Sequence, residues 1–236
     1  IIRPNMLYKK LFKNMRKLFF NNFRENELVK LYFEFISNNT SNKNLNILDY
    51  GSGFQPLVII ELVKLLSKSG KIVSATCLDF YSNEDLNKLN GKYENITFLN
   101  VSKLEVFNEK DFDYCIISDV LHHMDIDNKV LIKVTLTNLS KICKFILIKD
   151  HFQNSYLQNT LLRIMDYAGN IFNPVEIPKR YFTNVEFNLL LRNLDLKVVT
   201  KLEEIKLYKK IWLFFNNPKL HFIYLLQKNK AHSPKS

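Results

Sequence analysis

Three groups of residues in this chain have the types and spacing that chemistry requires. The first is Ile47-Leu-Asp-Tyr-Gly-Ser-Gly53, where β-prone residues run into Asp49 and the chain then passes Gly51 and Gly53 before the apolar run Leu57 to Leu66. Glycine is needed where the backbone takes positive φ or must lie against a ligand, and the N-terminus of the following helix aims unpaired N–H groups at the same place. Only five glycines occur in 236 residues, and two of them are here. The second group is Asp79, which closes the apolar run Ile72 to Leu78. A carboxylate roughly 20–30 residues past such a turn binds ribose hydroxyls in nucleotide-binding α/β folds, because both strand ends open on one crevice. The third is Asp119, His122 and His123 after one apolar run, with Asp150 and His151 ending another. A histidine can take a proton at neutral pH, and a neighbouring carboxylate can orient it.

Positioning these groups requires alternating strands and helices. Strands are expected at about 46–50, 71–79, 96–100, 111–118, 145–151, 196–202 and 221–227. Helices are expected at 25–36, 57–66, 157–167 and 185–193, the last with Thr183 and Glu186 as a capping box. Residues 6–23 read as a basic amphipathic helix, and 37–44 as a polar linker. The fold class expected is α/β: a Rossmann-like, seven-stranded, mostly parallel sheet with an antiparallel last strand, helices on both faces and an N-terminal helical cap. The organisation read is a cap and linker over 1–44, one domain over 45–228 with a substrate-side insertion at 152–182, and a disordered tail over 229–236.

Composition narrows the function classes. The net charge of +11 suggests nucleic acid until its distribution is examined: residues 1–24 and 205–236 each carry seven Lys or Arg and no acid, leaving 20 basic against 23 acidic residues between them. The basicity thus belongs to the two ends. Lysine outnumbers arginine 28 to 6, against a surface built for bidentate phosphate recognition. Cys77, Cys115 and Cys143 fall inside apolar runs at spacings unlike a zinc site or a redox pair, so buried free thiols are expected, and no metal is assigned. No apolar stretch reaches the roughly 20 residues of a spanning helix, and the first residues lack a signal-peptide apolar core. A cytoplasmic location is expected. The basic, aromatic-rich ends add a possible anionic membrane surface as a peripheral partner.

Taken together, the glycine stretch, the acid after the second strand and Phe112-Asp-Tyr-Cys-Ile-Ile-Ser-Asp-Val-Leu-His-His123 resemble the class I S-adenosylmethionine (SAM)-dependent methyltransferases of small-molecule type. The stretch is similar to their motif I. A nicotinamide fingerprint would need a third glycine where Gln55 and Pro56 stand, and the Asn-Pro-Pro-Tyr signature of adenine and glutamine N-methyltransferases is missing. The resemblance implies SAM as cofactor and S-adenosylhomocysteine as product, with the methyl displaced from sulfur by an acceptor nucleophile. It implies a cofactor site of Asp49, Tyr50, Gly51, Ser52, Gly53, Asp79 on the ribose diol, Phe80 beside the adenine, Ser102 where the family often places an aspartate, and Asp119 near the amino acid part. It makes His151, Asp150 and His123 the catalytic candidates, and His122, Arg163, Asp166, Asn170 and Tyr181 the substrate-side candidates, one of the paired histidines being structural. The acceptor expected is a small molecule, sugar or lipid-linked compound, methylated at a hydroxyl. RNA methylation, supported by the basic ends, and a SAM-fold binding or membrane-docking module without chemistry are the alternatives.

Overall fold

The computed structural model describes residues 23–53, 56–124, 126–170, 176–208 and 217–229, the side chains of 168–170 excepted. In chain order the elements are α1 (Phe23–Asn39), β1 (Asn44–Tyr50), α2 (Leu57–Lys68), β2 (Ile72–Asp79), α3 (Asn83–Leu89), β3 (Ile96–Asn100), β4 (Phe112–Ser118), α4 (Val130–Ile142), β5 (Cys143–His151), α5 (Tyr156–Asn170), α6 (Asn184–Asn193), β6 (Leu196–Glu203) and β7 (His221–Lys228). Short 3₁₀ turns follow β3 and β4 and precede β7.

The strands form a seven-stranded sheet in the order β3-β2-β1-β4-β5-β7-β6. β1 pairs in parallel with β2 and β4, β2 with β3, and β4 with β5, while β7 is antiparallel to both β5 and β6. The chain winds outward one way from β1 and then the other way from β4. The carboxyl ends of β1, β2, β4 and β5 therefore lie along one edge, with the crevice of an open α/β sheet between β1 and β4.

Alternation of side chains along each strand divides the core in two. Leu45, Ile47, Tyr114, Ile116, Leu147, Ile223 and Leu225 face α1 and α2, whose buried stripes include Leu28, Tyr32, Ile36, Leu62 and Leu66. Leu48, Cys115, Ile117, Ile146, Ile148, Phe222, Tyr224 and Leu226 face α4 and α6 through Ile132, Leu136, Leu139, Phe187 and Leu191. On the first face lie Ile205 and Leu207, which follow β6. All three cysteines are buried free thiols. Among the described residues no helix is long and apolar enough to cross a membrane.

Local expectations differ from the structure mainly at boundaries. The polar run read as a linker over 37–44 is shorter, because α1 continues to Asn39 and β1 begins at Asn44. Ile36 is fully buried, and the Asn39 side chain donates to the Phe35 carbonyl at 2.8 Å, which holds the last turn. The cap of α6 forms as its sequence demands: the Glu186 amide donates to Thr183 Oγ1 at 3.2 Å and the Thr183 amide to Glu186 Oε2 at 3.1 Å, a device worth about 1 kcal/mol. Asn229, placed by sequence at the start of a tail, is tied to Asp195 by its backbone and side-chain amides. The basic helix expected at 6–23 falls, up to residue 22, outside the described residues. So do the aromatic segment 209–216 and residues 230–236, so nothing described supports membrane docking.

Candidate active site

The turn after β1 has the geometry its glycines permit. Gly51 and Gly53 take φ of +77° and +69°. The Gly51 amide donates to the Leu78 carbonyl at 2.8 Å, and a Cβ built on Gly51 would lie 2.4 Å from Val120 Cγ2. Nothing larger than hydrogen fits there, since the turn is pressed against the segment leaving β4. Gly53 faces open space, and its amide donates to Asp79 Oδ2 at 2.6 Å. The other oxygen of Asp79 accepts from the Phe80 amide at 2.6 Å. The Tyr81 hydroxyl donates to the Gly53 carbonyl at 2.7 Å and contacts Ser52 Oγ at 2.6 Å, closing the loop from the β2 side. Phe80 stands 81% exposed beside this cradle. Asp49 lies beneath it, and burial together with Asp79 raises its pKa to about 7. Tyr50 is half-buried on the opposite face, packed with the α4 side of the core. Ser102 is exposed, and its amide is held by the Asn100 side chain at 3.0 Å. Asn100 also donates to the Tyr81 carbonyl at 2.7 Å, a tie that sequence did not single out.

Two polar clusters fill the crevice at the ends of β4 and β5. On the α1 side, Asp119 adopts a left-handed backbone at φ 56° and donates its amide to the Lys149 carbonyl at 2.9 Å. Its carboxylate accepts from Lys149 Nζ and Arg24 Nη2, and lies 3.0 Å from His151 Nε2. Burial opposes ionisation of Asp119, but the Lys149 and Arg24 charges, with the His151 contact, outweigh it and hold the carboxyl well below its ordinary value. Tyr32 of α1 bonds Ser118 Oγ at 2.6 Å. His151 and His221 are cross-strand partners with ring centroids 4.7 Å apart. Burial and the Lys149 charge push the pKa of both histidines down, so both are neutral at pH 7. His151 Nδ1 and both His221 nitrogens are buried without a hydrogen-bond partner among the described residues.

On the α4 side, Asp150 is fully buried and its oxygens accept from His122 Nδ1 at 2.6 Å, from the His122 amide at 3.3 Å and from the His151 amide at 2.8 Å. Burial disfavours charge on His122, but Asp150 and then Asp166 outweigh it and take the imidazolium pKa up to about 10. His122 Nε2 lies 3.3 Å from Asp166 Oδ2, off the line of a hydrogen bond. Asp166 in turn accepts from the Tyr181 hydroxyl at 2.5 Å. His123 is half-buried, with its ring centroid 4.0 Å from that of His122, and its Nδ1 donates to the Glu176 carbonyl at 3.1 Å. Burial, and then the neighbouring His122 charge, lower its pKa. The paired histidines are thus driven apart, one cationic and one neutral.

The structure brings Asp49, Gly51, Ser52, Gly53 and Asp79 together on one side, and Asp119, His122, His123, Asp150, His151, Asp166 and Tyr181 on the other. Strand alternation puts Asp150 and His151 on opposite faces of β5, and both Tyr181 and His122 are buried. Arg163 is exposed on α5, and the Asn170 side chain lies outside the described residues. Sequence reading passed over Arg24, Lys149 and His221. Only Lys149 announced itself, as a lysine inside Phe-Ile-Leu-Ile-Lys. The other two are united with the site by topology alone.

Solved structures share this fold. A carbon methyltransferase, CurJ, matches with a TM-score of 0.54 and 10% identity over 83% of this chain and 51% of its own. The 1,6-didemethyltoxoflavin-N1-methyltransferase of Burkholderia thailandensis matches at 0.56 and 13% identity, over 88% and 79% of the two chains. The mitomycin 7-O-methyltransferase MmcR matches at 0.57 and 16%, over 88% and 54%. The chain has the fold of the class I methyltransferases. It spans about half the length of CurJ and of MmcR. No family model and no curated protein sequence matches it. Since carbon, nitrogen and oxygen methyltransferases share this class I fold, the fold leaves the acceptor atom open.

Proposed function

We propose that this chain is a SAM-dependent methyltransferase acting on a hydroxyl of a small molecule, sugar or lipid-linked acceptor. The observation that carries the reading is the cradle between β1 and β2. A nucleoside needs a close approach of backbone, an acceptor for its ribose diol and a flat apolar surface for its base. Gly51, whose neighbour leaves no room for a Cβ, meets the first need, Asp79 the second and the exposed Phe80 ring the third. Asp49, Tyr50, Ser52 and Ser102 complete the residues assigned to the cofactor, with Asp119 facing them across the crevice. When bound, SAM supplies a sulfonium methyl group, and its product S-adenosylhomocysteine is held by the same residues. The structure of the Burkholderia enzyme carries S-adenosylhomocysteine together with its small-molecule substrate, which supports the same pairing here.

The acceptor side is assigned to the half-exposed His123 and Asp166, to the exposed Arg163 and to Asn170, with the buried His122 and Tyr181 beside them. A hydroxyl that starts protonated needs a base. We assign that role to His151, whose Nδ1 is a buried ring nitrogen without a partner, while Asp150 orients His122 and fixes the β5 end. Holding the acceptor in line and away from water supplies most of the acceleration.

Calorimetric titration with S-adenosylhomocysteine tests the reading directly. Saturable binding by the wild type, lost in Gly51→Val, is the expected result. Absence of binding by a folded wild type overturns it. Incubation of cell extract with the protein and methyl-labelled SAM, followed by mass spectrometry, then identifies the acceptor; label in RNA alone would replace the small-molecule reading.

A further inference from the structure

We propose that His122, His123 and Asp166 form a binding site for a divalent first-row transition-metal ion beside the crevice. One ligand atom from each lies within 4.8 Å of the other two. Ligands at ordinary metal–nitrogen and metal–oxygen distances lie roughly 3–3.5 Å apart, so small rotations of the side chains close the set. An arrangement of donors is not by itself a site. Here His122 Nε2 is a buried ring nitrogen, on a side chain 1% exposed, that faces Asp166 Oδ2 at 3.3 Å as an ion pair outside hydrogen-bond geometry. A divalent ion taken up between the two would displace the imidazolium proton and bond both atoms directly, so its uptake releases a proton.

The supporting contacts are those of a metal centre. Metal-bound histidines donate their second ring N–H to a carboxylate or carbonyl, which fixes the ring and the tautomer. His122 Nδ1 bonds Asp150 Oδ1 at 2.6 Å, and His123 Nδ1 bonds the Glu176 carbonyl at 3.1 Å, so both rings leave Nε2 for the ion, which on His122 takes the place of the imidazolium proton. Asp166 is itself held by the Tyr181 hydroxyl at 2.5 Å. A second grouping, in which Asp119, Asp150 and His151 approach His122, does not compete. Asp119 is already paired with Arg24 and Lys149, and Lys149 Nζ lies 3.4 Å from His151 Nε2, where it would repel a cation. Two imidazoles and one carboxylate select Zn²⁺, Fe²⁺, Co²⁺ or Ni²⁺ over Mg²⁺ or Ca²⁺, and three protein ligands leave coordination positions open. Under the methyl-transfer reading, an acceptor oxygen on such a position would lose its proton more readily. The site itself does not depend on that reading.

The test uses the tag-free full chain and Co²⁺, whose ligand-field absorption reports coordination without any enzyme assay. The wild type should take up one Co²⁺ per chain with visible bands. His123→Ala and Asp166→Asn should each weaken uptake by at least about 100-fold, and Asp150→Asn, which removes no ligand, by about tenfold or more. Circular dichroism reports folding of each variant, and the half-exposed His123 keeps the test valid if Asp166→Asn does not fold. Absence of bands in the wild type, or unchanged uptake in His123→Ala, overturns the proposal. S-adenosylhomocysteine titration of the same samples separates the two readings: nucleoside binding without Co²⁺ binding removes only the metal site, and the reverse removes only the cofactor assignment.

Discussion

Two carboxylates face each other across the crevice and are held in opposite ways. Asp79 accepts from two backbone amides, those of Gly53 and Phe80, beside an exposed aromatic ring. Asp119 is locked by three side chains, Arg24, Lys149 and His151, one of them a fully buried lysine. The first region is built by local chain geometry and keeps its polar surface available to a ligand. The second pairs its charges with one another, and those charges hold α1, β4 and β5 together. Substitution should therefore separate binding from stability along this line.

The largest effect is expected at Asp119. Asp119→Ala leaves Lys149 buried next to Arg24 without the carboxylate that pairs with both, and breaking such a pair costs about 3–5 kcal/mol. Urea unfolding that shows a loss under about 1 kcal/mol would erase the contrast between the two regions.

Asp49 sharpens the comparison from beneath the glycine turn. Its pKa rises from 3.8 to about 7 through burial, with Asp79 adding to it, so the folded chain keeps a proton that the unfolded chain releases. Stability from this group is therefore greatest below about pH 4, falls as the pH rises towards 7, and is constantly lower above that; the full change is about 4 kcal/mol before relaxation. Asp49→Asn should flatten that slope between pH 4 and 7 in urea melts and gain stability at pH 8. An identical slope in variant and wild type would show that the carboxyl is solvated.

The smallest stability effects and the clearest binding effects belong to the open region. Asp79→Ala should cost about 1–2 kcal/mol of unfolding free energy, through the two backbone amides it leaves without their acceptor, while weakening S-adenosylhomocysteine binding by on the order of 100-fold, the worth of two charge-assisted hydrogen bonds. Phe80→Ala should cost about tenfold, the lower range for a base stacked on an aromatic ring. Equal affinities in both variants and the wild type would move the nucleoside elsewhere in the crevice.

Sequence by itself determined the cradle and the frame around it. Gly51, Gly53 and Asp79 are legible because a left-handed turn and a strand-end carboxylate are local requirements, met within a few residues of each other or at the end of the next strand. Seven runs of strand type and the Thr183 capping box were legible for the same reason, since their periods and caps are short-range. Tertiary structure alone decided the second region. Arg24 meets Asp119 across 95 residues, Asp166 reaches His122 across the insertion, and His221 faces His151 only because β7 runs antiparallel to β5. Burial likewise decided which histidine is charged, because the pKa of His122 and of His123 is set by carboxylates and by a neighbouring ring that no sequence window contains.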